Sequence, residues 1–347
     1  PSFIIKRLTE EANKPENHKY SPYGGCQEFR EAVASFYQKN YQVDLNPDTE
    51  VLTLIGSKEG IAHLIHAVIN PGDGVLLPDP GYPVYQSAVH LAHGHSVPFP
   101  LNETKGYVPD FEKIPVHDLE RAKLMLLNYP NNPTGATVEL DTFIEAVEFA
   151  KNNQLCIAHD AAYDLVTFRG YESPSLLQVP GAKEIGVEFG SLSKSFNMTG
   201  WRIGYVVGNK ELIRSLTIVK SNTDTSQFLA IQKAGATALT SDFTSVNQNN
   251  EIYQKRMEFV LSALQELGME AERTKGTFFL WAKVPAGYTS QGFAEFVLEK
   301  AGVILTPGTA FGQRGEGYIR ISLSVPTTRL NEAVDRMKNM KRGGATS

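Results

Sequence analysis

The sequence predicts an α/β protein with two domains. A large domain with a mostly parallel sheet sandwiched by helices would cover residues 1–258, and a smaller α+β domain residues 259–347. Short apolar runs alternate with helical patterns, which is typical of β-α-β units and a parallel sheet. The chain has 347 residues, whereas single hydrophobic cores stop growing at roughly 250–300 residues. The pattern also changes after a long helical segment at residues 247–267, beyond which strands and helices are grouped differently.

The elements of the large domain follow from these patterns in chain order. A helical pattern over residues 3–12 opens the chain without a methionine, so we expect a preceding segment to be missing. Apolar runs predict strands at residues 51–55, 74–77, 122–128, 155–159, 185–190 and 202–208. Helical spacing predicts helices at residues 58–68, 142–152, 210–221 and 247–267.

The smaller domain is predicted from three further strands and two helices. The strands lie at residues 278–284, 302–306 and 318–323, around a helix at residues 290–301. A last helix begins near Thr328. Strands grouped with helices in this way are typical of an α+β unit.

The composition predicts a cytoplasmic protein without a nucleic-acid or membrane partner. The formal net charge is −5, so no overall basic field attracts nucleic acid or an anionic membrane. Apolar runs such as residues 61–69 are shorter than a membrane span, and no secretory signal opens the chain. Cys26 and Cys156 are too few for a disulfide framework and indicate reduced thiols.

The most informative segment surrounds Lys194. Ser191 and Ser193 precede this lysine, and Arg202 follows it eight positions later. A lysine amine can bind an aldehyde as a Schiff base, and the serines and arginine can donate to a phosphate. Pyridoxal phosphate carries both groups and is commonly held in this way. The same segment could instead form an exposed Ser/Lys-rich turn before a strand.

Three loops after predicted strands offer further contacts to such a cofactor. Ser57 begins a helix after Gly56, and helix N-termini bind anions, although a Gly-Ser pair is also ordinary capping. Tyr82 could stack on a planar ring or simply pack in a rigid Pro/Gly loop. Asn132 lies in a turn dense in Asn, Pro and Gly, where its amide could donate to a phenolic oxygen.

Two charged residues and a tyrosine complete the pattern. Asp160 follows a buried-looking strand, where its carboxylate could pair with a protonated pyridine nitrogen or cap a helix. Tyr163, three residues on, could donate to the ring oxygen. Arg320 lies mid-strand among apolar neighbours, and a bidentate carboxylate or an internal ion pair would satisfy it.

The spacing of His63 and His66 does not predict a metal site. His63 and His66 lie three residues apart on a predicted helix, but no cysteine or carboxylate set completes a site. We therefore expect both to be packed in the core.

Taken in this order, these segments closely resemble the class I/II aminotransferases of pyridoxal-phosphate fold type I. The resemblance runs from about Tyr20 to the final helix. It implies that Lys194 binds the cofactor aldehyde and moves the proton, and that Arg320 binds the substrate α-carboxylate. It assigns Asp160 to the pyridine nitrogen, Asn132 and Tyr163 to the ring oxygen, Tyr82 to the ring face, and Ser57, Ser191, Ser193 and Arg202 to the phosphate.

The resemblance also implies two contacts made by Lys58 and Tyr20. Lys58 lies near the phosphate, and its ammonium would reach a substrate carboxylate far from the reacting amine. The alternative is that Lys58 only adds positive charge near the phosphate or points to solvent. Tyr20 matches a tyrosine that reaches the neighbouring subunit's phosphate, so the expected active unit is a homodimer. The resemblance also implies that Tyr82 and Asn132, like Lys58, contact substrate as well as cofactor.

Within the family the motifs look most like LL-diaminopimelate and aspartate aminotransferases. The implied reaction is transamination between an L-amino acid, such as diaminopimelate, aspartate or glutamate, and a 2-oxo acid such as 2-oxoglutarate. Relatives with similar motifs use alanine, methionine-related or aromatic amino acids. A C–S lyase, the ligand-sensing domain of a regulator and a degenerate inactive fold are competing hypotheses.

Overall fold

The computed structural model describes residues 1–342, which form ten strands and thirteen α-helices. The strands are β1 Val51–Leu54, β2 Gly74–Asp79, β3 His95–Pro100, β4 Ala122–Asn128, β5 Cys156–Asp160, β6 Gly186–Ser191, β7 Gly204–Gly208, β8 Phe279–Lys283, β9 Thr306–Pro307 and β10 Tyr318–Ser322. The helices are α1 Ser2–Ala12, α2 Gln27–Tyr41, α3 Ser57–Val68, α4 Pro83–Leu91, α5 Val116–Leu119, α6 Leu140–Asn152, α7 Ala182–Ile185, α8 Leu192–Ser195, α9 Lys210–Thr223, α10 Leu229–Leu239, α11 Thr244–Glu266, α12 Ser290–Ala301 and α13 Thr327–Arg342.

Seven strands form the main sheet in the order β1-β7-β6-β5-β4-β2-β3. The pairs among β2 to β6 are parallel, whereas β7 runs antiparallel to both of its neighbours. A mostly parallel sheet needs helices on both faces because its strands are buried on both sides. This architecture confirms the predicted fold class.

Alternating side chains of the central strands feed two separate cores. Leu124 and Leu126 of β4 pack in one cluster with residues of α3, α4 and α9. Met125 and Leu127 point to the other face and pack in a cluster with α6. Because successive side chains of a strand alternate between faces, each central strand contributes to both layers. A third cluster joins β1 and β7 to α2 and α10.

The carboxyl ends of the parallel strands place several polar residues along one edge of the sheet. Strand β4 ends at Asn128, β5 at Asp160 and β6 at Ser191, followed directly by α8. The antiparallel β7 begins at this same edge, because Gly204 pairs with Ser191. Ligands of open α/β sheets bind at this edge.

The remaining strands form a three-stranded antiparallel sheet in the order β8-β10-β9. Its core cluster includes residues of α11, α12 and α13, and also Ala162, Tyr163, Val166 and Phe168. The predicted domain boundary at residues 258/259 lies inside α11, and the division into two domains stays a prediction. Residues 343–347 of the predicted smaller domain lie outside the described part of the chain.

Two strand predictions need correction. The strand predicted at residues 302–306 is reduced to Thr306–Pro307, because Gly302 adopts φ +63° and caps α12. Strand β3 was not among the predicted strands, although it pairs with β2 along its whole length. Alternating exposure and two prolines give β3 the pattern of a sheet-edge strand rather than a continuous apolar run.

No helix within residues 1–342 combines the length and the apolar composition needed to cross a bilayer.

Candidate active site

A cavity of about 460 Å³ lies at the carboxyl edge of the main sheet, and the second sheet contributes Phe279 and Arg320 to its wall. It brings together every predicted site residue except Tyr20: Ser57, Lys58, Tyr82, Asn132, Asp160, Tyr163, Ser191, Ser193, Lys194, Arg202 and Arg320. They come from six separate segments of the chain, around residues 57, 82, 132, 160, 194 and 320, which the fold brings together.

Lys194 lies in the short helix α8, directly after β6. The Ser191 hydroxyl caps this helix by accepting the Ser193 N–H at 3.2 Å. Burial lowers the pKa of Lys194, and the nearby cations Arg202 and Arg320 lower it further. A larger fraction of Lys194 is therefore the neutral amine, the form that acts as a nucleophile or base.

A corner of the cavity is rich in hydrogen-bond donors. They come from Arg202, from the start of α3 and from the serines at the start of α8. Gly56 adopts φ +82°, and a Cβ atom there would collide with the Arg202 guanidinium. Arg202 Nη1 donates to the Thr199 carbonyl at 3.0 Å and to Ser193 Oγ at 3.4 Å. The guanidinium, the hydroxyls and the free N–H groups at the start of α3 are the groups that hold a phosphate.

Asp160 and Tyr163 form a buried part of the cavity wall. Asp160 is 5% exposed, and Tyr163 is also 5% exposed. Burial raises the pKa of Asp160, whereas hydrogen bonding from Tyr85 lowers it. A buried carboxylate calls for a cationic or hydrogen-bonding partner, which a protonated ring nitrogen supplies.

An asparagine network fixes the loop between β4 and α6. Asn128 Nδ2 donates to the Asp160 carbonyl at 2.7 Å, and Asn128 Oδ1 accepts the Asn132 N–H at 2.9 Å. Asn131 in turn accepts from Thr134. The network ties Asn132 to the ends of two neighbouring strands, so its side chain keeps one direction in the cavity.

Arg320 reaches the cavity from β10. Its guanidinium carbon lies 4.2 Å from the Phe279 ring centroid and 4.7 Å from that of Phe311. Its Nη1 donates to Asn132 Oδ1 at 2.8 Å, while its buried Nε has no hydrogen-bond partner among the described residues. Because Asn132 Oδ1 accepts from Arg320, the Asn132 NH₂ group remains available as a donor. An anionic ligand would satisfy the remaining Arg320 donors.

Lys58 and Tyr82 form the outer part of the cavity. Lys58 is exposed on the first turn of α3, and its Nζ lies 5.9 Å from the Tyr82 ring centroid. Tyr82 precedes α4 and packs edge-on against Tyr85. The ammonium of Lys58 is therefore free to meet a ligand that enters from solvent.

Tyr20 lies away from these residues in the loop before α2. Its side chain is 87% exposed in the single chain. The predicted contact with a neighbouring subunit's phosphate stays a prediction.

The structure also reveals residues near the site that the sequence analysis did not single out. Tyr85 donates to Asp160, and Asn128 bridges β4 and β5. Fully buried Lys220 donates to Glu59 and Asp224, and Glu59 accepts the Ile55 N–H just before Gly56. Asn128 ends a predicted strand and its position was a usable signal, whereas no local pattern marks the other contacts.

The prediction that His63 and His66 are both packed in the core was wrong. His66 is exposed and His63 is half-buried. Glu59 and Asp224 lie close enough to His63 to form a group of three possible metal ligands. Both carboxylates already form ion pairs with Lys220, whose Nζ lies 3.0 Å from Glu59 and 2.6 Å from Asp224.

A larger groove of about 850 Å³ lies elsewhere and includes Thr134, Arg273 and Trp281. Several of its charged groups pair with one another, as Lys283 does with Glu103 and Glu270. It contains no lysine with a lowered pKa beside a buried carboxylate, so the smaller cavity is the better candidate for catalysis.

The donor set of the smaller cavity fits pyridoxal phosphate. A lysine amine, a buried carboxylate and a corner of hydroxyl and guanidinium groups correspond to an aldehyde, a pyridinium nitrogen and a phosphate. Arg320 Nε has no hydrogen-bond partner among the described residues, so it could donate to one carboxylate of a substrate.

Comparisons with known proteins agree on one family. Residues 1–337 match the family model for aminotransferase class I and II. LL-diaminopimelate aminotransferase from Moorella thermoacetica is 50% identical over 340 residues, which cover 98% of this chain and 87% of that protein. The corresponding enzyme from Aquifex aeolicus is 48% identical over 341 residues, covering 98% of this chain and 88% of that protein. The structure of substrate-bound BacF from Bacillus subtilis has a TM-score of 0.95 at 39% identity and covers 98% of this chain and 87% of that chain.

Proposed function

The chain belongs to the class I and II aminotransferases, and from that premise we propose that it uses pyridoxal phosphate to transfer an amino group. The donor is an L-amino acid with a distal carboxylate, such as diaminopimelate, aspartate or glutamate. The acceptor is a 2-oxo acid such as 2-oxoglutarate. One observation carries the proposal: Lys194, Asp160 and the phosphate-type corner around Arg202 line the same cavity.

Three groups of residues would hold the cofactor. Ser57, Ser191, Ser193 and Arg202 bind its phosphate, with the N–H groups at the start of α3 adding to them. Asp160 pairs with the ring nitrogen, while Asn132 and Tyr163 donate to the ring oxygen. Tyr82 covers a face of the ring.

When bound, pyridoxal phosphate supplies a conjugated ring that accepts the electrons left on the substrate α-carbon after proton removal. The Lys194 amine would take that proton from the substrate α-carbon and later give it back, because burial and the neighbouring cations lower its pKa and leave the neutral amine available as a base. The buried Asp160 carboxylate favours a protonated ring nitrogen through charge pairing.

Arg320 and Lys58 would read the two ends of the substrate. Arg320 is fixed between two aromatic rings and keeps an unpartnered Nε, which suits the α-carboxylate. Lys58 lies on the outer side and suits a second carboxylate. The names of the relatives at about 50% identity support a substrate of this class.

We also propose that the active unit is a homodimer. Tyr20 is 87% exposed, and Tyr23 in the same loop is 50% exposed. Large exposed rings grouped in one loop suit a contact surface. Tyr20 would reach the phosphate held by the neighbouring subunit.

A half-reaction screen tests the proposed activity. The purified protein, saturated with pyridoxal phosphate, is mixed with single amino acids while the visible absorption of the cofactor is followed. Diaminopimelate, aspartate or glutamate should bleach the band, and 2-oxoglutarate should restore it. Release of a thiol, ammonia and a 2-oxo acid from a cystathionine-like amino acid, without any acceptor, would instead indicate a C–S lyase. Binding without any spectral change would indicate a ligand-sensing domain.

The distal-carboxylate preference has its own test in Lys58→Met. An ammonium–carboxylate hydrogen bond is worth roughly 1.5–3 kcal/mol, or about 10- to 150-fold in specificity. The variant should therefore lose kcat/KM for glutamate or diaminopimelate by at least about tenfold, while alanine and phenylalanine change little. An equal loss for all amino acids would mean that Lys58 serves the cofactor and would remove the argument for an acidic substrate.

A further inference from the structure

The Asp160 carboxylate has one side-chain hydrogen-bond donor among the described residues. Tyr85 donates its hydroxyl to Asp160 Oδ2 at 2.8 Å. The other oxygen, Oδ1, accepts the backbone N–H of Ala162 at 3.3 Å. Without Tyr85, the carboxylate would keep only a long contact to a backbone amide.

Tyr85 is held rigidly by the core of the main sheet. It lies on α4, is 1% exposed and packs in a cluster with Leu126 and Ala158. The Tyr82 ring meets it edge-on, with 5.6 Å between the ring centroids. A hydroxyl buried this deeply needs a hydrogen-bond partner, and Asp160 is the one the structure provides.

We propose that Tyr85 is a positioning residue for Asp160: its hydroxyl anchors Oδ2 and so directs the carboxylate toward the ring nitrogen of the bound cofactor. The role toward the cofactor rests on the proposed function, whereas the hydrogen bond between Tyr85 and Asp160 does not. A hydrogen bond to a charged acceptor is among the stronger ones in proteins. It favours the ionised form of Asp160, the form that pairs with a protonated ring nitrogen.

Other charged and titratable groups act electrostatically on Asp160. They are His159 on the same strand, Lys194 after β6, and Tyr163 and Asp164 in the segment that follows β5. His159 and Lys194 lower the pKa of Asp160, as Tyr85 does, whereas burial raises it. Of these groups, Tyr85 alone donates a hydrogen bond from its side chain to the carboxylate among the described residues.

The first test uses the cofactor-free protein. Tyr85→Phe keeps the ring and removes the hydroxyl, so the pKa of Asp160 should rise by about one unit or more, a tenfold shift in its proton affinity. The ¹³C chemical shift of the Asp160 carboxyl group measures that pKa directly. An unchanged Asp160 pKa would overturn the proposal, whether or not the protein binds pyridoxal phosphate.

The second test measures the dissociation constant of pyridoxal phosphate as a function of pH. In Tyr85→Phe the loss of affinity on acidification should begin about one pH unit higher than in the wild type, because Asp160 is neutralised earlier. An unshifted acid limb would overturn the inference about the cofactor. Failure of the wild type to bind would contradict the proposed function instead and leave the first test decisive for Tyr85.

Tyr171→Phe is the matched control. Tyr171 is also buried, but its hydroxyl donates to the backbone carbonyl of Val138 at 2.6 Å. Its loss should lower thermal stability without moving the Asp160 pKa or the acid limb of cofactor binding. If Tyr171→Phe moved both to the same extent as Tyr85→Phe, the effect would be a general loss of structure and the proposal would fail.

Discussion

At the scale of single residues, Lys194 stands in a cavity whose other charges are mostly positive. Arg202, Arg320 and Lys58 all lower its pKa in addition to burial, and Asp160 opposes them. The neutral amine of Lys194 is therefore present at a lower pH than that of an ordinary lysine. A serine-capped helix fixes where that amine lies.

We predict that Lys194→Ala folds and binds pyridoxal phosphate reversibly but forms no adduct that borohydride can trap. Turnover should be almost lost, because no other amine replaces the base at the α-carbon. Mass spectrometry of the borohydride-treated protein makes the measurement. Lys58→Ala, which removes another amine from the same cavity, should keep the adduct. A trapped adduct on a different lysine would contradict the assignment.

At the scale of elements, α1 is attached to the rest of the molecule through Glu11. This side chain is fully buried and binds Lys14, Lys233 of α10 and Asn17. Burial by itself raises the pKa of Glu11, but these hydrogen bonds outweigh it and lower the pKa to about 2. Because the pKa of Glu11 is lower in the folded protein than its value of 4.5 in the unfolded chain, ionised Glu11 stabilises the fold fully at pH values above about 4.5. This stabilisation is lost as the pH falls toward 2.

We predict that Glu11→Gln lowers the free energy of unfolding at pH 7 by roughly 1.5–3 kcal/mol, the value of a hydrogen bond to a charged group. Urea unfolding at a series of pH values measures the difference from the wild type, which should shrink as pH falls below about 4.5. Glu10→Gln, on the exposed side of the same helix, is the control and should change little. Equal stability of Glu11→Gln and the wild type at pH 7 would show that α1 does not depend on this charge.

At the scale of the whole molecule, the loop before α2 projects aromatic rings that the single chain leaves uncovered. Tyr20 and Tyr23 are largely exposed, and nearby Phe228 packs against His18 while remaining 36% exposed. Arg202 in the proposed phosphate corner is exposed as well. A second copy of the chain that covered these rings would also exclude water from the cofactor.

We predict that Tyr20→Phe weakens pyridoxal phosphate binding about tenfold or more, because one donor to a charged phosphate is removed. Equilibrium dialysis gives the dissociation constant, and light scattering should still find a dimer. Tyr23→Phe, in the same loop, should bind the cofactor normally. A cofactor-saturated, active monomer at working concentration would contradict both the contact and the homodimer.

The order of elements and most cavity residues were predictable because the relevant patterns are local. Residues such as Asn132, Asp160 and Lys194 lie at or just after the ends of buried strands, and the carboxyl ends of parallel strands meet at one edge of a sheet. Edge strand β3 was missed because it has no continuous apolar run, and the strand at 302–306 was overestimated because Gly302 caps a helix.

What the sequence determined by itself was the fold class and which chemical groups gather at one sheet edge. Only the tertiary structure decided which of those groups touch. Tyr85 meets Asp160 across 75 residues of chain, and Lys220 meets Glu59 across 161. Such contacts depend on how helices pack against the sheet and in which direction each side chain then points. No pattern of a few residues encodes that packing, because the burial of distant apolar faces selects it.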